Sequence, residues 1–171
     1  MKKKKIKVAL LFGGRSAEHE VSLQSAKNVA EALDTKKYDV TLIGIDKTGK
    51  WILNNDVSRF LLNARNPKLI ALNKAGWNAV ALMPQSHGNL SLVNSSGRGT
   101  KIDVVFPILH GPFGEDGTVQ GLLKLAGVPF VGASVLGSAV GMDKDMMKRL
   151  LRDAGIPIAR FMVVHDGEKL A

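Results

Sequence analysis

The chain has 171 residues, 45% of them hydrophobic and only 5% aromatic, with no cysteine and a formal net charge of +9. That is enough for an aliphatic core; it excludes a disulfide scaffold and thiolate chemistry, fits a cytoplasmic protein, and leaves no apolar run near the roughly 18–20 residues of a membrane span. The charge does not describe a nucleic-acid binder, because Lys2 to Lys5 form a terminal tail, the other cations scatter, and no RNP-like aromatic run, zinc spacing or basic helix accompanies them.

Residues 6–12, IKVALLF, are too short an apolar run for a signal peptide and read as a first strand ending at Gly13-Gly14. Ala26, Val29, Ala30 and Leu33 then recur at helical spacing, with Ser22 as the expected cap. YDVTLIGID, residues 38–46, is a second β-rich run that completes a βαβ unit, and Asp46, Lys47 and Gly49 form a turn after it. Residues 50–101 break into short apolar pieces separated by Asn, Pro, Gly and Ser, which predicts small strands and loops. IDVVFPIL, residues 102–109, is a continuous run of the kind covered on both faces, and it leads straight into HGPFGEDGT. A helix over VQGLLKLAG stopped by Gly127, a short strand at VPFVG and a short apolar helix or turn at SVLGSAVGM follow. Residues 143–155 give the clearest helix, with Asp143 as cap, Met146, Met147, Leu150, Leu151 and Ala154 on one face, and Gly155 and Pro157 as the stop; ARFMVV then predicts a strand.

Three stretches carry candidate chemistry. The turn Gly13-Gly14-Arg15-Ser16-Ala17-Glu18 lacks the further glycines of a dinucleotide fingerprint, and its carboxylate would repel a pyrophosphate; Asp46, placed for a ribose, is weak support without those glycines. Glu18 suits a cationic group such as an ammonium, although Glu18 and Glu20 also read as acids that simply stabilise a helix start. His110 stands at the end of a buried strand, on the same sheet edge as Glu18 if the strands are parallel, with Glu115 and Asp116 near enough to orient its imidazole; a lone histidine is equally a structural one. The spacing is not that of a zinc site. Lys144 lies in the first turn of a helix, where dipole stabilisation would not put a lysine, so it serves an anion or pairs with Asp143 or Asp145, while Met142, Met146 and Met147 read as core filler.

Taken together, LFGGRSAEHEVSLQSA, HGPFGEDGTVQGLLKLAGVPFVG and SAVGMDKDMMKRLLRDAGIP resemble the D-alanine:D-alanine ligases of the ATP-grasp superfamily, in that family's order. The resemblance implies an α/β chain: a Rossmann-like amino-terminal domain with a parallel sheet over residues 1–133, and the beginning of an ATP-grasp central domain over 134–171. It implies that ATP phosphorylates the carboxylate of one D-alanine and that the amine of a second attacks the acyl phosphate, for peptidoglycan precursor synthesis in the cytoplasm. It further implies that Glu18 holds the ammonium of the first D-alanine, that His110 stands beside the same substrate, that Glu115 positions its neighbours, and that Lys144 contacts the ATP phosphates. Magnesium and a homodimer are implied too, with neither membrane nor nucleic acid as partner. Pro112 and Phe113 depart from the smaller or more polar residues frequent in relatives. The family's chain is about twice this long, so its lid, magnesium carboxylates and catalytic arginine are expected outside these residues, leaving the chain inactive by itself. A D-alanine:D-lactate ligase of the same family and a stand-alone Rossmann-type binding module are the alternative readings.

Overall fold

The computed structural model describes residues 4–54, 60–73, 78–83, 90–93 and 99–165. A five-stranded sheet of order β10-β1-β2-β3-β6 organises them, built from β1 (Ile6–Gly13), β2 (Tyr38–Ile45), β3 (Trp51–Asn54), β6 (Asn78–Ala79) and β10 (Val104–Leu109). The sheet is mixed rather than parallel throughout. β1 runs parallel to both β2 and β10, whereas β3 is antiparallel to β2, because the short turn at Asp46–Lys50 returns the chain as a hairpin and leaves no room for a crossover helix; β6 is antiparallel to β3 in turn. Two small accessory sheets pair β4 (Leu61–Leu62) with β5 (Ala71–Leu72), and β7 (Ala81–Met83) with β8 (Leu90–Val93) and β9 (Gly99–Ile102). These short pieces match the expectation for residues 50–101.

The core follows from the two-residue period of a strand. Val8, Leu10 and Phe12 face α1 (His19–Ala32) and pack with Leu23, Ala26, Leu42 and Ile108, closed by Phe60 edge-on to Phe12 at 4.4 Å between ring centres. Ala9 and Leu11 face the other way, toward Ile43, Val105, Leu109 and the Val119, Leu123 and Ala126 stripe of α2 (Thr118–Leu125). Both faces of β1 are therefore covered, which is why its sequence is continuously apolar instead of alternating.

Ser22 is not the cap of α1. It lies inside the helix and is fully buried; its hydroxyl accepts from the Gly13 N–H at 2.8 Å and donates to the Ile108 carbonyl, tying the end of β1 to the end of β10 through the helix. Glu18 occupies the cap position. Ser22→Ala is expected to cost about 2–3 kcal/mol, since it strips one buried donor and one buried acceptor of the same partner; a urea midpoint equal to that of the parent chain would contradict this.

The apolar run at 102–109 is interrupted at Asp103, whose carboxylate takes the Lys7 N–H at 2.8 Å, so that β9 ends at Ile102 and β10 begins at Val104. VPFVG makes a single parallel bridge, Phe130 beside Val105, and no full strand. α3 (Val135–Met142) is capped by Ser134, and α4 (Lys144–Asp153) by Asp143, which accepts from the Met146 N–H at 3.0 Å. The methionines of α4 are not core filler, for the helix has no buried residue and Met146 and Leu150 are half exposed. Residues 159–164 form no strand. No helix among those residues is long and apolar enough to cross a membrane.

Candidate functional site

The register that sets Gly13 beside both Ile45 and Leu109 brings the turns after β1 and β10 out at one sheet edge. β2 lies on one side of β1 and β10 on the other, so the strand order reverses there, at the crevice where open α/β sheets hold their ligands. The Ser16 hydroxyl donates to the His110 carbonyl at 2.7 Å and joins the two turns directly.

At this seam Gly111 is the point of contact. Its φ is +71°, in the left-handed region that glycine tolerates, and a Cβ on it would lie 2.9 Å from Glu18 Oε2. Its N–H donates to Glu115 Oε2 at 2.8 Å. Glu18 and Glu115 therefore flank the residue that follows His110. The imidazole is one-third exposed; its Nε2 lies within hydrogen-bond distance of the Ser25 hydroxyl, at 3.1 Å, and its Nδ1 faces Glu115 Oε1 at 4.0 Å. Asp116 does not orient the ring as expected. It accepts instead from the N–H groups of Phe113 and Thr118, at 2.8 and 2.9 Å. Burial raises its carboxyl pKa, but those backbone hydrogen bonds outweigh it and leave the carboxyl below its ordinary range.

The acids are distinguished by what they already hold. Glu20 is bound to Lys47 at 2.6 Å, and the Lys47 hydrogen bond lowers its pKa. Asp46 accepts from the Thr48 and Lys50 N–H groups and the Thr48 hydroxyl, which commits it to its own turn and not to a ribose. Glu115 holds the Gly111 N–H and Asp116 opens α2. Glu18 makes no side-chain capping bond, and its carboxylate stands exposed at the positive end of α1 with no hydrogen-bond donor among the described residues. Such a carboxylate is open to an incoming cation.

Lys144 is exposed, and its ammonium donates to the Gly141 carbonyl at 3.1 Å. Neither neighbouring acid takes it up: Asp143 caps α4 and Asp145 pairs with Arg149 at 2.6 Å. It lines a cleft of about 420 Å³ together with Glu115, Gly114 and Ser138, on the side of the 110–117 turn next to α3. The structure thus gathers Glu18, His110 and Glu115 around Gly111, and brings Lys144 to the same turn from the α3 side. One ammonium in an open cleft fits an anionic phosphate. No cluster of three or more His, Cys, Asp or Glu that could cage a metal ion exists among the described residues, so magnesium held here would need oxygens from a bound phosphate as well.

The sequence reading passes over Ser16, Ser25 and His19 and takes Ser22 only as a cap. Ser22 and Ser25 lie one turn apart on α1, and that i, i+3 spacing of two hydroxyls on the buried side was the available signal. Ser16 meets His110 across 94 residues, with no local trace. His19 is buried, and its Nδ1 lies 2.8 Å from the Gly14 carbonyl, bracing the glycine turn.

Residues 7–133 match the family model described as the D-ala D-ala ligase N-terminus. The D-alanine–D-alanine ligase of Oceanobacillus iheyensis is 54% identical over 157 residues, 91% of this chain and 42% of that protein. D-alanine–D-alanine ligase A of Escherichia coli K12 is 50% identical over 161 residues, 94% of this chain and 44% of that one. Among solved structures, the D-alanine-D-alanine ligase from Coxiella burnetii superposes with a TM-score of 0.82 at 36% identity, covering 96% of this chain and 46% of its own. The D-Ala:D-Ser ligase VanG from Enterococcus faecalis gives 0.76 at 38% identity, covering 92% and 44%. The chain spans less than half the length of each of these relatives.

Proposed function

Because the chain belongs to the D-alanine–D-alanine ligase amino-terminal family, we propose that it supplies the amino-terminal part of the site that joins two D-alanines, and that Glu18, His110 and Glu115 hold the first of them. The observation that carries this reading is the uncommitted carboxylate of Glu18 facing the His110–Gly111 turn, while Glu20, Glu115 and Asp116 are each engaged elsewhere. An ammonium is the complementary charge, and an amino acid bound through it would set its carboxylate toward the imidazole side. His110, held by Ser25, orients that carboxylate or relays a proton at it; Glu115 fixes the turn through the Gly111 N–H. ATP, when bound, supplies the phosphoryl group that activates the carboxylate, and Lys144 is the cation of this chain that reaches it.

We divide the chain into an amino-terminal domain, 1–133, and the first segment of an ATP-grasp central domain, 134–171. Magnesium, a cytoplasmic setting and a dimer belong to this reading through the family, and the magnesium ligands are assigned to residues other than these. Whether the second substrate offers an amine or a hydroxyl separates the D-alanine reading from a D-lactate one.

The experiment joins this chain to the remaining part of the Oceanobacillus iheyensis ligase and follows phosphate release. Glu18→Gln keeps shape and removes charge, so the Michaelis constant for the first D-alanine should rise by the equivalent of about 1.5–3 kcal/mol, one charge-assisted hydrogen bond. Lys144→Met should raise the constant for ATP by a similar factor and leave that for D-alanine in place. If Glu18→Gln left both substrate constants and turnover unchanged, the amine-binding role would be withdrawn.

A further inference from the structure

A second opening at the same sheet edge lies on the α2 side of the 110–117 turn. It is a pocket of about 180 Å³, walled by Leu109, Val119, Leu122 and Trp51, and neither Glu18 nor Glu115 lines it. Its mouth carries two unusual features. Phe113 is a bulky residue at φ +67°, a conformation that costs about 1–2 kcal/mol for a non-glycine, yet its ring is 49% exposed and gains little burial in return. The Arg15 guanidinium lies 5.2 Å from the centre of that ring and has no carboxylate partner among the described residues. A strained aromatic thus holds an unpaired cation at the rim of an apolar hole.

We propose that this pocket binds a small aromatic acid, with its ring against Trp51 and Leu122 and its anionic group on Arg15. The walls decide the body of the ligand and the rim decides its charge. A zwitterionic amino acid fits poorly, since nothing lining the pocket is acidic and its ammonium would be desolvated without a partner. A polyphosphate fits no better, since Arg15 is the only Lys or Arg among the lining residues. His110 and Phe113 belong to one turn that serves both crevices, so an occupant here would brace the turn that positions His110. The inference does not depend on the amine-binding reading, and D-alanine serves as its negative control.

The test uses the 171-residue chain with 3-phenylpropionate as probe and 3-phenylpropanamide as its neutral counterpart, followed by amide and indole N–H chemical shifts. We expect saturable shifts centred on Gly14, Gly49 and Trp51 with the acid, and none of these with D-alanine. The amide should bind about threefold to fivefold more weakly, the scale of an exposed ion pair, and the difference should shrink with added salt. Arg15→Gln should erase that difference while sparing the residual affinity, and Leu122→Trp should fill the pocket and abolish binding of both. Leu122 is 44% exposed on α2, so the larger side chain has room to turn outward if the fold resists it; the Arg15→Gln comparison stands by itself in that event. Equal binding of acid and amide by the parent chain would overturn the proposal, as would shifts centred away from these residues. So would a concentration-dependent dimer that Leu122→Trp dissociates, because the pocket would then be filled by a second copy.

Discussion

Replacing Gly13 by alanine should unfold most of the chain at room temperature or lower its stability by about 3–5 kcal/mol, at the upper end of what single substitutions do. Gly13 ends β1 at φ +89°, which alone costs an L-residue about 1–2 kcal/mol. A Cβ there would overlap the Ile45 carbonyl oxygen, and that atom is backbone at the end of β2, not the end of a flexible side chain. The same oxygen accepts the Gly14 N–H at 2.8 Å, so relieving the overlap means parting β1 from β2 at the point where Gly13 and Ile45 are paired. Three further attachments converge on the site: the Ser22 hydroxyl on the Gly13 N–H, the His19 ring on Gly14, and the Leu109 strand end opposite. For a domain of this size, total stability is about 0.05–0.15 kcal/mol per residue, so the loss would be a large part of the whole. Gly141→Ala is the control. It sits in α3 with open space around a new Cβ, and should be neutral or stabilise the chain by up to about 1 kcal/mol. Unfolding free energies from urea titration that lie within about 1 kcal/mol of each other for the two variants would refute the argument.

The sequence made the βαβ unit visible because its signals are local and strong: a glycine pair after an apolar run, then a 3.6-residue period, then a second β-rich run. Its failures share a physical cause. Ser22 has the composition of a cap, but a serine inside a helix is indistinguishable from one at its start until the strand it bonds is known, and Ile108 is 86 residues away. Asp103 breaks an unbroken apolar run through a hydrogen bond to Lys7, again a distant partner. ARFMVV has β propensity, but a strand exists only where another edge offers hydrogen bonds, and residues 159–164 form none. Glu18, His110 and Glu115 were legible as candidates from their place after strands. What singles out Glu18 was not, since that depends on Lys47 taking Glu20, Gly111 taking Glu115 and two N–H groups taking Asp116.

The 171-residue chain alone is expected to release no phosphate from ATP in the presence of D-alanine and magnesium. Phosphoryl transfer is catalysed by positioning and by cations placed around the developing charge, and a single exposed lysine does not form such a clamp. Among the described residues Lys144 is the one cation lining the cleft beside Glu115, and no set of acids stands ready for a metal. That cleft is also open, so water competes for every charge in it and each interaction keeps the small value it has at high dielectric. The α3–α4 segment repeats the same pattern in its packing. Its apolar residues face outward, with Leu136 74% and Leu150 52% exposed, while the buried member of α3 is Ser138. Helices that bury so little are held by few tertiary contacts and open at low cost. Amide exchange should therefore be slow through β1, β2 and β10 and faster by at least tenfold through residues 135–153. Mixing the chain with a polypeptide comprising the remaining part of the Oceanobacillus iheyensis ligase should slow exchange over 135–153 and, if the two halves dock, bring phosphate release with it. Turnover by the chain alone near that of an intact relative would refute the first expectation. Uniformly slow exchange from β1 through α4 in a dilute monomer would refute the second, because it would mean that α3 and α4 need no covering to be stable.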